Sequence, residues 1–136
     1  MNNQNRTKKQ EIGQIGEDLA CKFVKNKGFR VVDRNYWKKW GEIDIIAEKD
    51  HIIRFIEVKT VSHETKNGVL CESYDTYLPE ENVHPRKLKR MSRVIQTYLI
   101  DKDISDEKEW QFDVLAVFLD LKNKEAKMRF TEDLIL

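Results

Sequence analysis

Acidic side chains interrupt two neighbouring apolar segments between residues 41 and 60. The first segment carries Glu42 and Asp44, and the second carries Glu57 with Lys59 two residues later. Side chains of a β-strand alternate between its faces, so residues two apart share a face. If the segments pair as a β-hairpin, we expect three carboxylates and one ammonium group to converge.

Such a cluster has a specific chemical use. Carboxylates that are close together in a low-dielectric setting repel one another, so a positive charge is needed among them. Lys59 supplies one. A divalent cation is the other, because Mg²⁺ binds one or two carboxylates and completes its shell with water and substrate phosphate. The alternative is a solvated strand face, which arises easily in a chain with 36% charged residues. The β-branched, apolar neighbours of both motifs favour the metal site.

The apolar periodicity predicts the elements that carry these residues. Gly28 suits the position just beyond the end of the first helix. The order of helices and strands predicts an α/β sandwich around a mixed sheet. The predicted helices are Lys8–Lys27 and Arg86–Ile100. The predicted strands are Phe29–Asn35, the two hairpin segments on either side of a turn at Glu48–His51, Gln111–Leu119 and Ala126–Phe130.

Length and composition predict one domain over residues 1–136, with a flexible N-terminus at residues 1–7 and a long polar loop from Ser62 to Val83. Apolar stretches fall short of the roughly 20 residues of a membrane span, and the N-terminus lacks the apolar region of a signal peptide. We therefore expect a cytoplasmic protein with no membrane partner. The spacing of Cys21, Cys71 and the histidines argues against a zinc site or a disulfide framework.

The basic residues are concentrated in the second predicted helix. The net charge of +1 argues against a dedicated tight DNA-binding protein. However, residues 82–100 contain no acid, and the acids cluster in residues 101–109 instead. A basic helix face is also an ordinary protein surface. The functional interpretation is that this helix contacts phosphates beside the carboxylates. Its basic residues are Arg86, Lys87, Lys89, Arg90 and Arg93.

Two tryptophans precede the first acidic motif. Trp37 and Trp40 flank Lys38 and Lys39. Interleaved aromatic and basic residues can stack on unpaired bases while contacting the phosphate backbone. The alternative is that both tryptophans pack against the protein, as large aromatic residues usually do.

Asp44 followed in the next strand by Glu57-Val58-Lys59 resembles the metal-binding signature of the PD-(D/E)XK nuclease superfamily. A longer series of motifs resembles, in order and spacing, the bacterial YraN family, which is related in fold to archaeal Holliday junction resolvases. This similarity extends from about Ile12 to the C-terminus. The motifs are Gly16-Glu17-Asp18-Leu19-Ala20, Lys27-Gly28-Phe29, Arg34-Asn35-Tyr36, Gly41–Ala47, Phe55–Thr60, Lys87, Tyr98-Leu99 and Phe112-Asp113-Val114.

The resemblance implies a restriction-endonuclease-like fold, with a central mixed β-sheet flanked by helices. It also implies an endonuclease that uses Mg²⁺ or Mn²⁺ to cleave DNA, with branched or flapped structures among the candidate substrates. Asp44, Glu57 and the Val58 carbonyl would bind the ion. Lys59 would orient the attacking water or stabilise the transition state. Glu17 would complete the acidic site, as a glutamate does in the resolvase-like branch; otherwise it is a carboxylate on the helix surface.

Further residues are candidates for the same surface. The proposed nucleic-acid contacts are Lys38, Lys39, Arg86, Lys87, Arg90 and Arg93. Additional candidates for the site are Glu42, Gln96 and Asp113, of which Asp113 could instead form an ion pair at the start of its strand.

The sequence also departs from the family pattern. Ile43 precedes Asp44 where the superfamily name has proline, and Val61 follows Thr60 where the YraN family usually has arginine. The second change removes one phosphate contact. Two alternatives to a nuclease therefore stay open: a nucleic-acid-binding module of the same fold with little cleavage, and a protein-interaction scaffold. The oligomeric state is also open, with a homodimer as one alternative.

Overall fold

The computed structural model describes residues 7–63 and 85–136. Most of the predicted loop from Ser62 to Val83, including Cys71, lies outside the described residues, as do residues 1–6 of the predicted N-terminal segment. The predicted order of helices and strands is confirmed. The elements are α1 (Lys8–Asn26), β1 (Arg30–Lys38), β2 (Gly41–Lys49), β3 (Ile52–His63), α2 (Pro85–Asp101), β4 (Trp110–Asp120) and β5 (Glu125–Leu134).

Local sequence accounts for both ends of α1. Thr7 and Gln10 form a capping box, in which the Gln10 N–H donates to Thr7 Oγ1 at 3.1 Å and the Thr7 N–H donates to Gln10 Oε1 at 3.0 Å. The helix is followed by Gly28 at φ = 89°, a left-handed conformation that glycine adopts without strain. The predicted position of Gly28 is confirmed.

The five strands form one sheet in the order β1-β2-β3-β4-β5. β3 and β4 are parallel, whereas the other neighbours are antiparallel. Parallel strands need a long crossover connection, and α2 belongs to it. The predicted mixed sheet is confirmed, and the arrangement is consistent with a restriction-endonuclease-like fold.

The two helices lie on opposite faces of the sheet, because each packs in its own core cluster. Adjacent residues of β3 alternate between these clusters: Ile56 packs with α1, and Phe55 packs with α2. With both faces covered, the central strands are apolar on both sides. The α1 cluster includes Ala20, Val24, Ile45, Ile56 and Leu115. The α2 cluster includes Ile43, Phe55, Val94, Ile95 and Phe112.

The structure extends β1 beyond the predicted end at Asn35. Asn35 has φ = 53°, and the strand nevertheless continues to Lys38. Asparagine is among the residues that tolerate this left-handed conformation, so β1 continues through Asn35. The hairpin turn is also tighter than predicted, because Asp50 and His51 alone form it, with φ = 53° and 64°.

The sheet opens at the acidic motifs. β2 pairs with β3 from Lys49 and Ile52 as far as Ile45 and Ile56, and the paired register ends there. β3 stays paired with β4 as far as His63 and Asp120. The first residues beyond the paired region are therefore Asp44 in β2 and Glu57 in β3. Neither described helix is both long enough and apolar enough to span a membrane.

The close approach of α1 to β3 depends on Gly16. A Cβ atom on Gly16 would lie 2.8 Å from the Cβ of Thr60, which is closer than carbon atoms pack. A larger residue would therefore push α1 away from the strand, next to Glu17.

We predict that Gly16→Ala lowers the free energy of unfolding by roughly 1–3 kcal/mol through overpacking, despite the better helix propensity of alanine. Gly13→Ala is the matched control in the same helix, because no described atom outside the adjoining helix backbone lies within 4 Å of its added Cβ. This control should be neutral or stabilising. Urea denaturation of the two variants measures the difference, and equal stability would show that Thr60 adjusts freely.

Candidate functional site

Asp44 bridges the opening between β2 and β3. Its Oδ2 accepts a hydrogen bond from the Val58 N–H at 2.8 Å. A side chain thus takes the place of a backbone partner beyond the last β2–β3 pair. The neighbouring Ile43 and Ile45 are fully buried, which holds the half-buried Asp44 carboxylate at the edge of the core.

The surroundings of Asp44 disfavour its charged form. Burial raises the pKa of Asp44 to about 7, although the hydrogen bond from Val58 works in the opposite direction. The negative charges of Glu17, Glu57 and Glu42 contribute to this raised pKa. The carboxylates therefore converge as expected, and the negative charges of the other acids all act on Asp44.

Glu57 enters the site from β3 and is only 6% exposed. Its Oε1 forms an ion pair with the ammonium of Lys87 from α2, and Lys59 Nζ lies 3.9 Å away. Its Oε2 is buried and has no hydrogen-bond partner among the described residues. One oxygen is therefore neutralised, and the other has an unmet need for a donor or a cation.

The two lysines beside Glu57 differ in their proton affinity. Burial, followed by the hydrogen bond with Lys87, lowers the pKa of Lys59, and the attraction of Glu57 opposes that change only in part. Burial also disfavours the ammonium of Lys87, but the hydrogen bonds with Glu57 and Lys59 and the charges of Glu57 and Asp44 together outweigh it, so the pKa of Lys87 is raised. Lys87 is therefore the more firmly charged partner, and Lys59 releases its proton more easily.

The role of Lys87 is wider than the sequence indicated. Lys87 was predicted to contact nucleic acid, but the structure also places it on the carboxylate of Glu57. The contact joins α2 to β3 over 30 positions of the chain, and local spacing carries no signal for such a distant pair.

Glu17 and Glu42 share one donor. With its amide nitrogen turned toward the acids, Asn35 donates to Glu17 Oε1 at 2.7 Å and to Glu42 Oε1 at 3.1 Å. Burial, followed by the charge of Glu42, raises the pKa of Glu17. The structure therefore brings Glu17 to the carboxylates, and it keeps the exposed Glu42 in contact through Asn35.

Sequence analysis did not single out Asn35 as a site residue. The available signal was its place in the motif Arg34-Asn35-Tyr36. In β1 it lies between Arg34 and Tyr36, which pair with Ile45 and Ile43, so it is level with Asp44. Asparagine tolerates the left-handed backbone at this position, and from there its amide nitrogen donates to both Glu17 and Glu42.

Clefts open on both sides of the carboxylates. A cleft of about 630 Å³ includes Glu17, Asp44, Val58 and Thr60 in its walls. A smaller one of about 220 Å³ includes Glu42, Glu57, Lys87 and Arg90. The acidic groups can thus be reached from the side of α1 and from the side of α2.

The donor set suits a hard divalent cation. Within residues 7–63 and 85–136, no three His, Cys, Asp or Glu side chains are grouped as metal ligands. Mg²⁺ needs only one or two protein carboxylates, since water and substrate complete its shell. The unpartnered Glu57 Oε2 and the Asp44 carboxylate fit that requirement. The Val58 carbonyl stays a predicted ligand, whereas the Val58 N–H is committed to Asp44.

The remaining basic candidates and Gln96 are distributed over the surface next to the carboxylates. Arg86, Arg90, Arg93 and Gln96 line a groove on α2, outside the two clefts except for Arg90. Lys38 lies over the Tyr36 ring, with its Nζ 5.3 Å from the centroid, and Lys39 is exposed.

The two tryptophans have different environments. Trp40 is half-buried in the α2 cluster, and its Nε1 donates to Thr97 Oγ1 at 3.3 Å. Trp37 is 64% exposed. Packing against the protein therefore holds for Trp40, and it is wrong for Trp37.

Asp113 belongs to a different cluster. It is fully buried and accepts from Arg54 Nη1 at 3.3 Å, from Gln111 Nε2 at 2.8 Å and from the Asp133 N–H at 2.8 Å. Arg54 also pairs with Glu132 at 3.1 Å. The ion pair considered as the alternative for Asp113 is found. Its contacts link β3, β4 and β5 and include neither Asp44 nor Glu57.

Asp44→Asn should change how the stability of the protein depends on pH. Asparagine can still accept from Val58 but cannot ionise. The Asp44 carboxyl titrates near pH 4 in the unfolded chain and near pH 7 in the folded protein. Between these values the folded state binds more protons than the unfolded state. The wild type therefore loses stability as the pH rises from 4 to 7. We predict that the variant matches wild type near pH 4 and is roughly 1–3 kcal/mol more stable above pH 7. Thermal unfolding from pH 4 to 8 measures this, and the exposed Asp106→Asn should behave like wild type.

Comparison with known proteins identifies the family. Residues 16–117 match the family described as "Uncharacterised protein family UPF0102". A UPF0102 protein of Campylobacter jejuni strain 81-176 is 37% identical over 105 residues, or 77% of this chain and 81% of that protein. One from Dictyoglomus turgidum is 36% identical over 114 residues, 84% and 87% of the two chains. One from Clostridium botulinum strain 657 is 34% identical over 123 residues, 90% and 92% of the two chains. The chain therefore belongs to the UPF0102 (YraN) family.

Proposed function

We propose that this chain is a metal-dependent endonuclease of the PD-(D/E)XK type that hydrolyses phosphodiester bonds of DNA, branched or flapped structures included. The observation that carries the proposal is the opening of the sheet after Ile45 and Ile56, where Asp44 and Glu57 meet two lysines beside open clefts.

The energetic cost of this arrangement supports a functional interpretation. The pKa of Asp44 is raised to about 7 by burial and by three neighbouring acids. Glu57 keeps a buried oxygen with no partner among the described residues. Groups whose pKa values are shifted by burial and by specific charges, and which lie in a cleft, are typical of functional sites. A bound cation would relieve both unfavourable features.

Asp44 and Glu57 would hold Mg²⁺ or Mn²⁺. When bound, such an ion polarises a phosphoryl oxygen and lowers the pKa of its water. Lys59 would orient the attacking water and accept its proton at Nζ, a role that suits an amine of lowered pKa. Lys87 would keep its charge beside Glu57 and stabilise the negative charge that develops on the phosphate.

Glu17 and Asn35 complete the acidic side of the site. Asn35 donates to the carboxylates of both Glu17 and Glu42 and so links the two acids. Glu17 would act on Asp44 by charge, because its negative charge raises the pKa of Asp44. A cation at Asp44 would therefore be attracted by a second carboxylate that does not need to touch it.

A nucleic-acid-binding module with little cleavage is the second candidate. The ion pair between Lys87 and Glu57 favours it, because an ammonium then neutralises the glutamate in place of a metal. The absence of an arginine after Thr60 also weakens the expected phosphate contacts.

A cleavage assay with Lys59→Met separates these candidates. We predict that the wild type cleaves branched or linear duplex DNA with Mn²⁺ and not with a chelator. Methionine keeps most of the lysine stem but can neither orient the attacking water nor accept its proton, so cleavage should fall by about 10²-fold or more. DNA affinity should change little, because an interaction made only in the transition state does not affect binding of the ground state.

Lys108→Met is the matched control. The Lys108 side chain is 29% exposed and pairs with Glu48, and the Lys59 side chain is 27% exposed and pairs with Glu57. The control should cleave at the wild-type rate. If Lys59→Met cleaves as fast as wild type, the motif is not a nuclease site. If the wild type binds DNA without cutting it, the binding module is the better description.

A further inference from the structure

A basic groove with one aromatic wall runs along α2. Its volume is about 640 Å³, and its walls include Trp40, Arg86, Lys89, Arg90, Arg93 and Gln96. All the charged residues in the described wall are cationic. The positive charge suits a polyanion. Because the groove is concave, a ligand can contact its walls as well as its floor.

Trp40 and Arg93 form a combined surface within this groove. The Arg93 guanidinium lies over the Trp40 indole, with Cζ 4.4 Å from the ring centroid. The edge of the indole is anchored, because Nε1 donates to Thr97 Oγ1 at 3.3 Å and that hydroxyl donates to the Arg93 carbonyl at 2.9 Å. The ring and the guanidinium are thus held together by a contact within the protein.

This pair provides two kinds of contact in one place. Nucleobases stack on aromatic rings and on guanidinium planes, and a guanidinium also donates to phosphate oxygens. A row of lysines would attract only the backbone. A base can stack on the protein only when its face is free of a neighbouring base, so a stacking surface selects unpaired nucleotides over a duplex.

The groove adjoins the cleft at the carboxylates. Arg90 lines this groove and also the cleft that contains Glu57 and Lys87. From Lys87 to Gln96 the helix rises by roughly 14 Å, which is room for a short run of nucleotides. A strand whose phosphate lies at Glu57 and Lys87 can therefore continue along α2 without leaving the protein.

We propose that the Trp40–Arg93 groove binds a short unpaired segment of a nucleic acid strand that continues from the phosphate at Glu57 and Lys87. The direction of the strand rests on the proposed function, since that function places a phosphate at the carboxylates. Binding of the unpaired segment does not require cleavage. The ligand class is thus a duplex with a single-stranded extension rather than a continuous duplex.

Fluorescence polarisation in EDTA tests this without cleavage. The probes are a blunt DNA duplex and the same duplex with a short single-stranded tail at its 3′ or 5′ end. We expect wild type to bind at least one tailed duplex about 10-fold more tightly than the blunt one, as stacking of a base would produce. Equal affinity for the blunt and both tailed duplexes would overturn the proposal.

Arg93→Lys distinguishes stacking from charge. Lysine keeps the positive charge but lacks the planar guanidinium. The ratio of tailed to blunt affinity should therefore fall to about one, whatever the substitution does to the affinity for the blunt duplex. Arg30→Lys is the matched control, because Arg30 on β1 has a 71% exposed side chain that pairs with Glu48 on β2. The control should keep the preference, and a preference kept by Arg93→Lys would overturn the proposal.

Trp40→Leu should also lose the preference, with circular dichroism to check its fold. If it fails to fold, the surface variant Arg93→Lys still decides the question. The two proposals can fail separately. Tail preference in EDTA with no cleavage in Mn²⁺ would sink the nuclease and keep the groove, and cleavage in Mn²⁺ with no tail preference would do the reverse.

Discussion

The whole site depends on the place where β2 and β3 stop pairing. Beyond Ile45 and Ile56 the backbone ladder between these strands ends, and the carboxylate of Asp44 accepts the Val58 N–H instead. Asp44 therefore makes the strand contact and also lies close to three other acids. Apolar residues next to both acids are buried, Ile43 and Ile45 beside Asp44 and Ile56 beside Glu57, so the core positions the two carboxylates at the opening.

Two buried carboxylates in this protein show the difference between structural and functional placement. Asp113 is fully buried, and its oxygens accept from a guanidinium, an amide and a backbone N–H. Glu57 is nearly as buried, yet its Oε2 has no partner within the part of the chain that the structure describes. A buried acid with every contact satisfied stabilises a fold, whereas one with a free oxygen beside a cleft is prepared for a ligand.

How much of this arrangement could be predicted from the sequence depends on how far apart along the chain the interacting residues lie. Strand alternation in the hairpin was enough to place Asp44, Glu57 and Lys59 together, and apolar periodicity predicted both helices. Asn35 was not predicted as a site residue, because its role depends on a left-handed backbone and on its position beside Asp44 in the neighbouring strand. The second role of Lys87 and the tight contact at Gly16 join elements far apart in the chain, and no local pattern reports such contacts.

Binding of a divalent cation by Asp44 and Glu57 can be measured by calorimetric titration with Mn²⁺ at pH 6.5 in buffers of different ionisation enthalpy. The pKa of Asp44 is about 7, so the carboxyl is largely protonated at this pH and the ion must displace the proton. We expect Mn²⁺ binding with release of a proton to the buffer, and loss of binding in Asp44→Asn. Equal binding by wild type and this variant, or no binding by wild type, would contradict a cation site at these carboxylates.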